Sequence, residues 1–310
     1  MSIFCRDTRY CIPTGGLYMN LIQVNQLWTE FKERFDLDSD VMISAVVYDT
    51  DENVEGCFDL HELLAGRYIL HLNPRFHLYS ESYIRFILFH EFTHFYDFIK
   101  CDLDSKEDFF LYMNAYSEFH ACKVTLTQAI EMYKLETVDV DKIQIPGPFR
   151  EVSIRRLLSD SLMRVKISYE EFLMDFIPND FVMTFRQLMY LYGYISLFKK
   201  DEILVEQTLI FLQIKDENYM KLYQELSKDD IDVDQILFLT REIYHGAFLM
   251  FLKDFIRRNY DDSLISDEDI ENLTTENYKD YLEELDEKQE AIDAGEDDLA
   301  DGMAAFCIKI

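Results

Sequence analysis

His90-Glu91-Phe92-Thr93-His94 sits inside the apolar run FILFHEFTHFYDF, residues 86–98. Two histidines four apart lie on one helical face, one turn from each other, so their imidazoles can bind a single metal ion. Glu91 lies about 100° round the helix from His90. It stands at the edge of the same face, where it reaches a metal-bound water rather than the metal. Zinc in such a place lowers the pKa of that water toward neutrality, and the glutamate takes its proton as general base. The spacing therefore points to metal-assisted hydrolysis, with His90 and His94 as ligands and Glu91 as the base.

A catalytic zinc takes three protein ligands and keeps a fourth position open. The metzincin pattern would place a third histidine six residues after His94, but Lys100 stands there, and Asp97 replaces the glycine of that pattern. Glu118, 24 residues after His94 on the next predicted helix, is the better third ligand. Its i−3, i+3 and i+4 neighbours are Ala115, Ala121 and Cys122. Small residues there let that helix approach the motif helix until a carboxylate reaches the metal. His120, nearly opposite Glu118 on its helix, is the alternative ligand. Asp97 shares the face of His90 and His94 and is placed to hold a histidine ring through its second N–H. It reads equally well as a surface acid. Tyr112, Tyr116, His120 and His245 are candidate donors to an oxyanion, though each reads more simply as a structural residue. His61-Glu62 lacks a partner, because position 65 is alanine, and His71 and His77 are expected to face solvent. Phe86, Phe89, Phe92, Phe95 and Phe98 are expected to pack the core.

These residues need elements to hold them. Residues 17–35 have apolar side chains at helical spacing. Residues 41–50 are β-branched and read as a strand, NVEGCFDL as a weaker one. Residues 66–76 alternate until Pro74 stops them, which makes a third strand, and the mixed face of Arg67 and His71 suits an edge position. Ser80 is a helix N-cap with Glu81 in the first turn, and that helix runs to about Lys100. Asp104 with Glu107, or Ser105 with Asp108, is a capping box for the next helix, over roughly 108–135. Pro146, Gly147 and Pro148 mark a boundary, and residues 150–260 carry only helical patterns.

Composition narrows the function. The formal charge is −30 at pI 4.4, which disfavours nonspecific binding to nucleic acid or to anionic membranes. Residues 261–310 hold 18 of the acids and three lysines, so half of that charge sits in one segment. YLEELDEKQEAI within it reads as a helix and DAGEDDLADG as flexible. The segment is a solvated acidic tail or a docking site for a basic partner. Six cysteines without a CxxC pair read as reduced thiols of a cytosolic protein. The N-terminus lacks a signal-peptide pattern, and no stretch reads as a membrane span. Walker A, GxSxG and GxGxxG patterns are absent.

LFHEFTHFYD followed by SEFHA resembles the gluzincin side of the HExxH metallopeptidases. It is most similar to short cytosolic zincins of the ImmA/IrrE type, found in prophages and mobile elements. In that group a strand ending in LN precedes the HExxH helix, and a glutamate followed by alanine three residues later lies on the next helix. The corresponding features are ILHLN (69–73), His90 to His94, and Glu118 with Ala121. The resemblance spans roughly residues 20–135. It implies zinc held by His90, His94 and Glu118, with Glu91 as base. It further implies limited proteolysis of a regulatory protein, often a DNA-binding repressor. No helix-turn-helix is evident, and residues 150–260 and the acidic tail have no counterpart in that group.

The expected fold is α+β: a small zincin-like domain, a short sheet plus the HExxH helix, followed by a mainly helical region. Its parts are a metallopeptidase domain at 1–140, a Pro/Gly linker at 141–149, a helical domain at 150–260 and the acidic tail at 261–310. The substrate would be a protein or peptide, which an extended strand at Tyr68–Asn73 would bind by backbone pairing. The alternative is a non-catalytic protein of the same fold whose acidic tail engages a basic partner. A metal-free helical protein with a chance HExxH is a third reading.

Overall fold

The structure, a computed structural model, describes residues 19–50, 54–103, 105–132, 143–147, 150–175, 177–260 and 264–290. In chain order the elements are α1 (Leu21–Arg34), β1 (Ala45–Tyr48), β2 (Gly56–Phe58), α2 (Leu60–Leu64), β3 (Ile69–Leu72), a 3-10 turn (Pro74–Leu78) and α3 (Glu81–Lys100). Then follow α4 (Lys106–Tyr112), a π-helical turn (Met113–Ser117), α5 (Glu118–Met132), β4 (Gln144–Ile145), β5 (Val152–Ser153), α6 (Ile154–Asp175) and α7 (Pro178–Ile195). The last are α8 (Asp201–Leu212), α9 (Asn218–Leu226), α10 (Val233–Asn259), α11 (Asp267–Glu271) and α12 (Tyr278–Glu290). The fold is mixed α+β, mostly helical with a small sheet. The chain forms two compact units. The first lies within Met1–Leu103, Ser117–Asp160 and Gly193–Lys199, and the second takes the remaining segments.

The first unit holds the HExxH helix. Asn20 and Gln23 form a capping box that starts α1, whose Val24, Trp28 and Phe31 share one buried face. The indole N–H of Trp28 donates to the Val41 carbonyl at 2.9 Å. Asn25 bonds both the N–H and the carbonyl of Ile43, so α1 is tied to the segment that leads into β1. Trp28 meets Phe92 edge-on at 5.5 Å and Phe95 at 5.0 Å, while Phe31 meets Phe89 at 5.3 Å. The aromatics of α3 thus bury one face of that helix against α1 and leave the opposite face for polar residues. Ser80 caps α3 by accepting from the Tyr83 N–H. Of the expected boundary at 141–149, residues 143–147 are described, and β4 pairs antiparallel with β5.

The sheet corrects one expectation. Its strand order is β1-β3-β2, with β1 parallel and β2 antiparallel to β3. The Tyr68–Asn73 segment is therefore central rather than an edge, and it has no free side for a substrate. The misleading residue is His71, which is buried rather than facing solvent. Its Nδ1 lies 2.8 Å from Asp49 Oδ1 and its Nε2 3.0 Å from Glu62 Oε2. A histidine clamped between two carboxylates is sequence-identical to one pointing at water. His77 is half-buried, with Nδ1 2.8 Å from the Pro74 carbonyl. Asn73 closes the strand. It caps the 3-10 turn, and its side chain donates to the Val54 carbonyl at 3.1 Å, which holds the approach to β2 beside the end of β3.

The clamp has a pH consequence. Burial alone lowers the pKa of His71, but hydrogen bonds and charges from Glu62 and Asp49 outweigh it and raise it above the ordinary 6.5. A raised folded-state value means that the stabilisation is fully present below about pH 6.5 and is lost as pH rises through the folded value. Urea-unfolding stability should decline over that rise in wild type, and His71→Gln should flatten the slope. Equal slopes would remove His71 as its source.

In the second unit α10 runs through the middle. Tyr244 meets Phe181 and Phe185 edge-on, and Arg241 pairs with Asp108 and Glu107 of α4. Residues 264–290 of the acidic segment fold here. Ile270, Leu273, Tyr278, Leu282 and Leu285 are buried, and the expected helix around YLEELDEKQ is α12. DAGEDDLADG lies outside the described residues, as do the N-terminal sixteen residues. Among the described residues no helix is long and apolar enough to cross a membrane. Cys57, Cys101 and Cys122 are free thiols.

Candidate metal centre

On α3 the i, i+4, i+7 spacing puts His90, His94 and Asp97 on the face turned away from Trp28. The expected single helix over 108–135 is instead α4, the π turn and α5, with 133–135 outside the described residues. α5 packs against α3. Glu118, the first residue of α5, is buried at 3% exposure and points at the two histidines. His94 Nε2 lies 3.2 Å from His90 Nε2 and 3.2 Å from Glu118 Oε2, and His90 Nε2 lies 3.8 Å from Glu118 Oε2.

These separations test whether a metal fits. Bonds of about 2.0–2.2 Å in a tetrahedral zinc site put neighbouring ligand atoms about 3.3–3.6 Å apart. The three observed edges bracket that range. His90, His94 and Glu118 thus form a group whose ligand atoms converge within 4.8 Å of one another. Two imidazoles and one carboxylate are a borderline-soft donor set that suits zinc.

The surrounding charges act on His94. Burial lowers its pKa, but the charge of Glu118, the hydrogen bond to it, and the charges of Glu91 and Asp97 raise it overall. Glu91 is buried at 7% exposure. It lies beside β2: a Cβ placed on Gly56 would sit 3.1 Å from Glu91 Cγ and 3.3 Å from Leu72 Cδ2. A glycine at 56 therefore leaves the space that the Glu91 side chain fills.

Asp97, expected either to hold a histidine of the group or to lie on the surface, is buried, and its hydrogen-bond route to His94 runs through Ser117. One oxygen accepts from the Ser117 hydroxyl at 2.7 Å, and Ser117 Oγ lies 2.8 Å from His94 Nδ1. The other oxygen is 2.8 Å from His120 Nδ1. The alternative third ligand, His120, is thus turned to Asp97 and outside the converging group. Tyr112, Tyr116 and His245 belong to the second unit, where the two tyrosine rings stack at 5.1 Å. No protein-family profile, curated protein or solved structure matches this chain.

The small residues near Glu118 are buried as expected, but one of them faces elsewhere. A Cβ on Gly193 would fall 2.3 Å from the Phe119 carbonyl oxygen and 2.8 Å from Cys122 Cβ. The small side chain at 122 and the missing one at 193 together allow that approach to α5. Gly193→Ala is expected to cost about 1–3 kcal/mol of stability by urea denaturation, since the obstacle is backbone rather than a movable side chain.

Ser117 and Gly56 escaped the sequence reading. Ser117 stands immediately before Glu118, but nothing in a serine's type marks it as a bridge between helices. Gly56 interrupts a strand pattern, a local sign of close backbone approach.

Proposed function

We propose that this chain is a zinc-dependent endopeptidase of the cytoplasm that makes limited cuts in a protein substrate. The reading rests chiefly on the convergence of His90, His94 and Glu118 at zinc-ligand spacing, with the buried carboxylate of Glu91 one residue along the same helix. A zinc ion held there supplies Lewis acidity, polarising a scissile carbonyl and bringing the pKa of water near neutrality. Glu91 takes the proton of the attacking water and passes it to the leaving amine. The substrate backbone pairs with the outer edge of β2, the strand beside Glu91, rather than with β3. The resemblance to ImmA/IrrE-type zincins favours a regulatory protein, such as a DNA-binding repressor, as the substrate.

Incubation with unstructured polypeptides tests this. Cleavage should appear with zinc, vanish with a chelator and return when zinc is restored. A zinc-loaded protein that cuts nothing would favour the non-catalytic interaction protein. A finer test is Gly56→Ala. The added methyl needs a few tenths of an ångström from Glu91, so kcat should fall about tenfold with zinc content unchanged.

A further inference from the structure

We infer that Ser117 is the positioning residue that fixes His94 as a metal ligand, and that the hydrogen-bond route from Asp97 to that ligand runs through Ser117. This inference rests on reading His90, His94 and Glu118 as a zinc site.

The hydroxyl of Ser117 has one proton, and that proton goes to Asp97 Oδ2 at 2.7 Å. Toward His94 Nδ1, 2.8 Å away, Ser117 Oγ is therefore an acceptor. Nδ1 must carry the hydrogen, which leaves the Nε2 lone pair for a metal. Asp97 cannot turn to take Nδ1 itself, because its second oxygen holds His120 Nδ1 at 2.8 Å. All of this is shielded from water: Ser117 is 0% and Asp97 2% exposed.

The backbone explains how one segment does two tasks. Ser117 ends the π turn and Glu118 begins α5. These consecutive residues meet opposite nitrogens of one imidazole, Ser117 Oγ at Nδ1 and Glu118 Oε2 at Nε2, 3.2 Å away. The extra residue of a π turn shifts the helical register, and such turns concentrate at functional sites. Here the turn sets the third ligand and the support of the second ligand together. A purely structural Ser117, bridging α3 to the start of α5, would contribute to stability and leave the metal indifferent.

Zinc affinity, measured by competition with a chromophoric chelator, separates these roles. Ser117→Ala should bind zinc 10–100-fold more weakly, as loss of an outer hydrogen-bond partner does. Asp97→Asn, which keeps the shape but not the charge, should weaken binding less. The double variant should lose less than the sum of the two single losses, because the hydrogen-bond route from Asp97 to the ligand runs through Ser117 and only its through-space charge acts independently. In the cobalt-substituted protein, His94 Nδ1–H should give a paramagnetically shifted, slowly exchanging proton signal that Ser117→Ala loses. Unchanged affinity with an unchanged signal, or additive losses in the double variant, would overturn the inference. Should Ser117→Ala fail to fold, Asp97→Asn carries the test, and wild-type affinity in that variant overturns it. A wild-type protein that binds neither zinc nor cobalt would remove the zinc-site reading, and this inference with it.

Discussion

Glu91→Gln is expected to keep its zinc and lose about 10²–10⁴-fold in cleavage rate, the range that a positioned general base supplies. Glutamine has nearly the same volume, so the packing beside Gly56 is retained, but its amide cannot take a proton from water. Glu91 is not among the three converging ligand atoms, so metal content should hold. The pairing of intact metal with lost turnover makes the variant decisive. A merely structural glutamate would lower both together through instability, and a solvated one would change neither. Turnover of one fluorogenic peptide, beside elemental analysis of the same sample, gives both numbers.

Glu118→Ala is expected to affect binding rather than chemistry. It removes one of the three converging ligand atoms, so zinc affinity should fall by more than the about 10–100-fold cost of a lost outer partner. The loss is also visible without a substrate. Ligand that binds only the native state stabilises it, by about 2.7 kcal/mol at a hundredfold excess over Kd. Zinc should therefore raise the melting temperature of wild type and leave Glu118→Ala nearly unmoved. A full thermal shift in the variant would place the third ligand elsewhere. His120 is a poor substitute, since it lies outside the converging group of His90, His94 and Glu118.

Much of the centre was legible because helical spacing is a local code. His90, His94 and the aromatics of α3 are separated by fixed angles, so the polar and packed faces follow from position alone. Ser80 announced its helix through capping chemistry that acts within a single turn. Glu118 was reachable because its alanine and cysteine neighbours signal close packing, although Cys122 proved to face Gly193. What failed to show was non-local. His71 looked like an exposed strand residue because its partners, Asp49 and Glu62, come from other elements. Without them a buried charge is not inferable, and β3 was misplaced to the edge for that reason. The π turn left no mark either, since MNAYS has ordinary helical residues and its register shift belongs to tertiary packing. Ser117 went unseen because its partners lie on α3, twenty or more residues earlier.

The central claim is that His90, His94 and Glu118 hold a catalytic metal. Its most direct test is the zinc content of the full chain after metal-replete purification and removal of loosely bound ions. The account predicts about one zinc per chain in wild type and near-background zinc in Glu118→Ala. Wild-type protein that carries no zinc, or Glu118→Ala that carries as much as wild type, would contradict it.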